Sequence, residues 1–435
     1  MAPALTIPPP VLAADEPAWL ADLRAAAARR LSDLERPTTE LEEWRYSRVD
    51  ELEVEGRALA PRPEVGDDLV AAWRAETGVG DDAAAATAVE VDGHVVSIVL
   101  GDAARAAGVR LDTAGRLGAD AALTAALGAA GVDAFAELVA AVGPDPLVLV
   151  VPRGVVVDGP VVVRSVVRDG AHLVASRFVV VAGDDSEVSV LRWSGGTPDV
   201  VDLDAPAPLV LDRVDVVVGA AARISLTTVQ DDAVTVDRVA NLAAVVDRDA
   251  TLRLHHAALG GRAARARFDC RLEGRGATGD LAALYLGHDD QAHDLRTFQE
   301  HLAPDTTSHL VFKGALDDRA RAVYTGLIRV GESARGTNAE QSNRLVKLSE
   351  DTWAESVPNL EIHNNDVRCA HASTVGPIDE AQRFYLESRG VAPEVAERLV
   401  VAGFFEEVLE GFAHPGAAER VRRIVAARLG GEGRS

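Results

Sequence analysis

The sequence predicts a mainly β protein with a helical segment at each end. Between Leu147 and Val375 many short valine-rich runs are separated by Gly, Asp and Pro turns, and this density indicates one large β body. From Arg265 to Glu273 every second residue is apolar, as expected for a strand with one buried face: Ala266, Phe268, Cys270 and Leu272. Aromatic residues make up only 4% of the chain, so stacked Val, Leu and Ile favour a parallel β-solenoid over a sandwich built on large rings.

Helical patterns precede and follow this β body. Apolar spacing predicts a helix from Pro17 to Leu34, and residues 50–145 mix short strands with alanine-rich helical pieces. Beyond Ile378 the pattern is helical to the end, and a proline is well suited to the first position of the helix that begins at Pro393. We therefore predict three domains, a mostly helical N-terminal domain, the β body and a helical C-terminal domain: residues 1–145, 146–376 and 377–435.

The composition excludes several classes of partner. The chain has 435 residues, a formal net charge of −24 and a pI near 4.8, which argues against binding to nucleic acid or to anionic membrane surfaces. Two cysteines cannot form a disulfide framework, and the N-terminus lacks the basic and apolar regions of a signal peptide. We expect a cytoplasmic protein without a transmembrane helix.

Between Pro358 and Gly390 the spacing of apolar residues changes. Before this stretch every second residue is apolar, as in strands, and after it every third or fourth residue is apolar, as in helices. Asp366–Ser373 is predicted to be a strand with Cys369 and His371 on one face, about 6.5–7 Å apart at the backbone. Both side chains could then reach one metal or cluster, although Cys369 could instead be buried and His371 could cap the next turn. The helix predicted to open at Gly376-Pro377 has an apolar stripe that we expect to be buried: Ile378, Ala381, Phe384 and Tyr385.

Three other features are weaker candidates for a site. The run Gly274–Gly279 matches G-x-G-x-x-G, but a strand-length run follows it, so we favour a glycine turn over a nucleotide site. A phosphate loop of the Walker type is absent, and we expect no nucleotide on this chain. His288 and His293 with their neighbouring aspartates suggest metal binding, but we favour solvated turns. Cys270 is expected to be a core residue.

Several motifs between Phe312 and Phe412 occur together. They are Phe312-Lys313-Gly314, Gln341-x-Asn343-x-Leu345, Pro358-x-Leu360-x-Ile362, Asp366-Val367-x-Cys369-x-His371, Phe384-Tyr385-Leu386-x-Ser388-Arg389-Gly390 and Gly403-Phe404-Phe405-x-Glu407-Val408. On these motifs the chain resembles the SufB/SufD family of iron–sulfur cluster assembly proteins. The resemblance implies a right-handed parallel β-helix between helical N- and C-terminal domains.

The resemblance also implies a function. In this family SufB and SufD pair through their β-helices, the C-terminal helices bind the SufC ATPase, and the complex builds iron–sulfur clusters. The chain would then be a scaffold and not an enzyme, with the ATPase activity on the partner subunit. A transient cluster or iron, shared with the SufB-like partner, would be bound by Cys369 and His371.

Two features indicate the SufD form. SufB carries glutamate directly after the motif histidine, where this chain has Ala372. SufB also has an earlier cysteine, and Arg319–Ser356 contains none. Two alternatives stay open at this point. One is a β-helix enzyme acting on acidic polysaccharide, against which the missing signal peptide counts, and the other is a purely structural partner without ligating residues.

Overall fold

The computed structural model describes Pro8 and residues 16–80, 83–168, 170, 172–196 and 208–430. These residues form a mainly β protein, a parallel β-solenoid of about seven turns with helices at the N- and C-termini. The predicted fold class is therefore confirmed. The proline-rich residues 1–16, which the sequence predicts to be loosely ordered, lie almost wholly outside the described residues. The three domain boundaries stay a prediction.

The solenoid is built from two sheets, and from the fourth strand onward successive strands alternate between them. Sheet A has nine strands in the order β18-β16-β14-β12-β10-β8-β6-β4-β3, and sheet B has ten in the order β19-β17-β15-β13-β11-β9-β7-β5-β1-β2. The strands are β1 Ala86–Val91, β2 His94–Leu100, β3 Arg110–Thr113, β4 Leu147–Val151, β5 Val161–Val167, β6 Leu173–Ala182, β7 Glu187–Gly196, β8 Leu209–Val218, β9 Arg223–Asp231, β10 Asp237–Val246, β11 Thr251–Ala258, β12 Ala263–Leu272, β13 Thr278–Gly287, β14 Ala292–His301, β15 Thr307–Leu316, β16 Arg321–Val330, β17 Asn338–Lys347, β18 Trp353–Ile362 and β19 Arg368–Pro377. From β4 onward each strand pairs in parallel with the strand one coil away, whereas β1–β2 and β3–β4 are antiparallel.

Helices occupy the two ends of the described chain. Those before the solenoid coils are α1 Ala18–Ser32, α2 Asp67–Ala75, α3 Asp102–Ala106, α4 Ala114–Leu117, α5 Ala121–Gly128 and α6 Ala134–Val142, with short 3₁₀ helices at Glu42–Trp44 and Val49–Glu51. Those after the coils are α7 Glu380–Ser388, α8 Pro393–Leu409 and α9 Pro415–Leu429. The predicted helices near Pro17 and at Pro393 are confirmed. The helix predicted to open at Gly376-Pro377 begins later, because β19 continues to Pro377 and Asp379 caps α7.

The interior of the solenoid, called the lumen below, is packed by every second residue of each strand. The alternation predicted between Arg265 and Glu273 is confirmed, with Phe268, Cys270 and Leu272 buried in the main core. The alternate residues point outward, and of these Arg265 and Arg267 are also covered whereas Arg271 is exposed. The guanidinium of Arg265 lies 3.8 Å from the ring centre of Trp44. The N-terminal segment therefore covers the outer face of sheet A.

The outer face of sheet B is covered by α8 and α9. Trp193 and Leu284 of the sheet belong to one buried cluster with Phe405 and Val421 of the helices. A buried cation joins the same layers, since the ammonium of Lys313 donates to the Phe404 carbonyl oxygen at 2.7 Å and pairs with Glu407. α8 and α9 are thus an integral covering of the solenoid and not a loose appendage.

Gly314 in β15 makes room for a tyrosine that spans two coils. The hydroxyl of Tyr285 on β13 donates to Oδ1 of Asn343 on β17 at 3.0 Å, and a Cβ at Gly314 would overlap the tyrosine ring. We expect Gly314→Ala to lower the free energy of unfolding by about 1–3 kcal/mol, the usual cost of overpacking a filled core. Gly376→Ala is the matched control, since a Cβ there meets nothing within 4 Å. Equal midpoints of urea-induced unfolding for the two variants would contradict the close packing of Tyr285 against Gly314.

Candidate functional site

The solenoid ends at β18 and β19, and this end is called the open end. β19 pairs only with β17 in sheet B, and β18 is the last strand of sheet A, so each has an outer edge that pairs with no other strand among the described residues. Cys369 on β19 packs against a small buried cluster that includes Ile328. Since lumenal residues alternate, His371 faces the lumen between Cys369 and Ser373. These three residues are called the open-end row.

The two predicted ligand residues lie on the same strand face, as expected, and differ in accessibility. Cys369 is partly buried, and this burial raises the pKa of its thiol. His371 is exposed at the open end. The described residues contain no group of three or more His, Cys, Asp or Glu side chains that could hold a metal ion. Cys369 and His371 therefore offer at most two ligands, and the remaining ligands of a four-coordinate metal would have to come from elsewhere.

A polar layer lies directly beneath the open-end row. On β17, Gln341 pairs in register with His371, and Asn343 pairs with Ser373. Nδ2 of Asn343 donates to Oγ of Ser356 across the lumen at 2.9 Å, and Oγ of Ser373 donates to the same oxygen at 2.6 Å. The sequence places Gln341 and Asn343 in one motif, and their spacing of two was the signal that both face the lumen.

The other sequence candidates do not form a second site. Cys270 is fully buried, and burial raises the pKa of its thiol to about 12, which confirms the prediction of a core residue. The run Gly274–Gly279 connects β12 to β13, and no helix begins there. Its interpretation as a glycine turn is confirmed, because a Cβ at Gly274 would overlap the backbone of Arg248 in the adjacent coil.

The prediction that His288 and His293 lie on solvated turns is wrong. Both side chains are buried. Nδ1 of His288 lies 2.9 Å from Asp289. Nε2 of His293 lies 3.2 Å from the Leu286 carbonyl oxygen, and burial lowers the pKa of this imidazole to about 4. Each histidine therefore has its own partner, and the two do not converge on a common metal position.

The apolar stripe on α7, which the sequence predicts to be buried, is mostly exposed. Ile378 is buried, but Phe384 is 69% exposed and Tyr385 is 58% exposed. The physical reason is that α7 packs mainly on α8. Four exposed apolar residues on these two helices are called the exposed C-terminal face: Phe384, Tyr385, Val395 and Leu399.

Comparison with known proteins gives a consistent assignment. Residues 165–404 match the family model described as "SUF system FeS cluster assembly, SufBD core domain". An iron–sulfur cluster assembly SufBD family protein of Mycobacterium leprae is 36% identical over 48% of this chain and 56% of its own length. SufD of Escherichia coli is 32% identical over 43% of this chain and 44% of its own length. SufD of Bacillus subtilis is 24% identical over 95% of both chains.

The first of these relatives are therefore matched over only about half of their own length. A protein named SufB, from Bacillus subtilis, also matches the chain and is 27% identical over 67% of it. Within the part of the chain that the structure describes, no helix has the length and apolar character needed to cross a membrane. The family model covers more than half of the 435 residues, and the resemblance in the motifs is confirmed. The chain belongs to the SufBD family of iron–sulfur cluster assembly proteins.

Proposed function

We propose that this chain is the SufD-type scaffold subunit of an iron–sulfur cluster assembly complex, where it pairs with a SufB-like chain and binds a SufC-like ATPase. The observation that carries this proposal is the position of the open-end row. A thiol and an imidazole lie at the end of the solenoid where β18 and β19 each have an outer edge that pairs with no other strand among the described residues. The SufD form is supported by Ala372, which follows His371 where SufB has glutamate, and by the SufD relative that aligns with nearly the whole chain.

Pairing with the SufB-like chain would occur at the open end. The outer edges of β18 and β19 present unpaired backbone donors and acceptors, which are a template for strands of another chain. Ile362 and Val375 add exposed apolar side chains at the same end. The partner would cover these groups and supply the ligands that Cys369 and His371 leave missing.

The cluster, or its iron, is the cargo of the scaffold in this proposal. Thiolate and imidazole both suit iron. Since burial raises the pKa of the Cys369 thiol, little thiolate is present at neutral pH before metal binds, and iron would have to displace the proton. The imidazole of His371 is exposed at the open end, so we assign it the larger share of the binding.

The ATPase would bind to the exposed C-terminal face. Aromatic and leucine side chains that remain in water on a surface are typical of protein interaction sites. The chain has no phosphate loop of its own, so the nucleotide chemistry is assigned to that partner. This chain then acts by binding and orienting its partners and not by catalysis.

Co-expression with a SufB-type chain and a SufC-type ATPase tests the proposal. After anaerobic purification, native mass measurement should find one complex that carries iron and sulfide. Val375→Arg should weaken the pairing with the SufB-type chain by at least about 100-fold, because burying an uncompensated charge costs about 3–5 kcal/mol. Val156→Arg, at an exposed position on the solenoid, is the control.

Two results would overturn the proposal. One is a stable complex with undiminished affinity when Val375→Arg is present, since the open end would then not be the interface. The other is the absence of any complex with wild-type chains combined with turnover of an acidic polysaccharide, which would favour the alternative enzyme.

A further inference from the structure

Gln341 is a buried amide without a partner. Its side chain lies on the lumenal face of β17, only 2% of its surface is exposed, and neither Oε1 nor Nε2 makes a hydrogen bond within the part of the chain that the structure describes. A buried amide that loses its hydrogen bonds to water without replacement costs free energy. Most buried side-chain polar atoms in native structures have a hydrogen-bond partner, so this exception requires an explanation.

The lumen is shaped around this amide. Gly326 of β16 lies directly across from Gln341, and a Cβ at that position would overlap both polar atoms of the amide. Asn343, the neighbouring lumenal residue of the same strand, has two hydrogen-bond partners. It accepts from Tyr285 on β13 and donates to Ser356 on β18. The layer beneath the open end is thus built from polar groups, of which Gln341 is the one left unsatisfied.

The group that lies over Gln341 is His371. The two residues are paired in register on adjacent parallel strands, so their lumenal side chains are separated by about the 4.8 Å spacing of neighbouring strands. The imidazole of His371 makes no hydrogen bond to any described residue either. A neutral imidazole has one N–H donor and one acceptor nitrogen, and an amide oxygen is a suitable partner for the donor.

We infer that Gln341 is the positioning residue of His371. Its Oε1 accepts the ring N–H of His371 once the exposed imidazole turns toward the amide. The tautomer is then fixed, and the other ring nitrogen is directed with its lone pair toward the open end. This use of the histidine rests on the proposed function, in which His371 binds iron or a cluster shared with the partner chain. Histidines that bind metals generally donate their second N–H to such a group, which orients the ring.

Gln299 provides a matched comparison. It is also fully buried in the lumen, and both of its amide atoms also lack a described partner. It lies on β14, two coils away from His371, and its register neighbours on either side are Cys270 and Ile328. A change at Gln299 removes the same kind of buried amide at a position two coils away from His371.

The test is the tautomer of His371 in the full, metal-free chain, read from long-range ¹H–¹⁵N spectra of protein labelled at its histidines, with His371→Asn used to assign the signal. Wild type should depart from the tautomer ratio of free imidazole. Gln341→Met, which keeps the volume but removes the acceptor, should restore that ratio. Gln341→Glu keeps an acceptor oxygen and should retain the wild-type tautomer, and Gln299→Met should leave it unchanged.

A free-imidazole ratio already in wild type, or the same ratio in wild type and Gln341→Met, would overturn the inference. In the assembled complex, Gln341→Met should weaken binding of Co²⁺, used as the probe for iron, by about 10–100-fold, as expected for loss of a group that orients a ligand. If the tautomer responds but wild-type complex binds no Co²⁺, the positioning role stands and the ligand role of His371 fails. The tautomer therefore tests the positioning role of Gln341, and Co²⁺ binding tests the ligand role of His371.

Discussion

The double variant Phe384→Ala, Leu399→Ala should bind the SufC-type ATPase about 1,000-fold more weakly than wild type. Both side chains are largely in water in the isolated chain, at 69% and 50% exposure, so their removal leaves the core of the protein unaltered. Central apolar anchors of an interface each contribute about 2 kcal/mol or more, and every 1.4 kcal/mol changes an affinity tenfold. Titration of the ATPase into the full chain, followed by calorimetry, measures the loss.

The control for this experiment is Leu69→Ala on α2. Leu69 is 54% exposed, close to the value for Leu399, but it lies on an N-terminal helix. We expect its ATPase affinity and its urea midpoint to equal those of wild type. Undiminished ATPase binding by the double variant would remove the exposed C-terminal face as the docking surface.

Point substitutions are a better test than deletion of the C-terminal helices. α8 and α9 bury Trp193 and Leu284 of sheet B, and Phe405 fills the same cluster. Deletion would expose this apolar surface and leave the buried ammonium of Lys313 without Glu407. A truncated chain that failed to bind the ATPase could have failed because the solenoid itself was damaged.

The solenoid was predictable because its signals are local. The alternation of apolar and polar residues follows from the pleat of a strand, and the scarcity of aromatic residues favours coils filled with Val, Leu and Ile. The pairing of Cys369 and His371 on one face follows from the same alternation. These features require no knowledge of which strands become neighbours.

The features that were missed depend on contacts between coils. Tyr285, Gly314 and Asn343 belong to three different strands of sheet B, and only the register of the coils brings them together. The burial of His288 and His293 likewise depends on neighbouring coils. Because the coil length is not constant along the sequence, no period reveals these contacts.

The stripe on α7 was misjudged for a different reason. Periodicity identifies which face of a helix is apolar, but it does not say what covers that face. Phe384 and Tyr385 satisfy the helical spacing as well as any core residue would. Their exposure in a single chain is the pattern expected when the covering surface belongs to another subunit.

Replacement of His371 by alanine should nearly abolish cluster retention on the assembled complex while leaving the complex intact. The proposed ligand is lost, but the strand edges and apolar residues that we propose to pair with a SufB-like chain are untouched. The loss should exceed the about 10–100-fold that removal of a supporting hydrogen bond costs. Iron and sulfide per complex, measured after anaerobic reconstitution together with the native mass, give the result.

Cys369→Ser should have a smaller effect if the exposed imidazole is the main ligand, because burial already holds the pKa of the Cys369 thiol above its usual value. An equal loss in the two variants would mean that both residues bind the cargo. His363→Ala, at an exposed histidine just beyond β18 and outside the open-end row, is the matched control and should retain the wild-type cluster content. Unchanged cluster content in both single variants and in the double variant, with the complex intact, would falsify the ligand role. The chain would then serve its partners as a structural subunit alone, since its edges and its exposed C-terminal face would still be needed to assemble them.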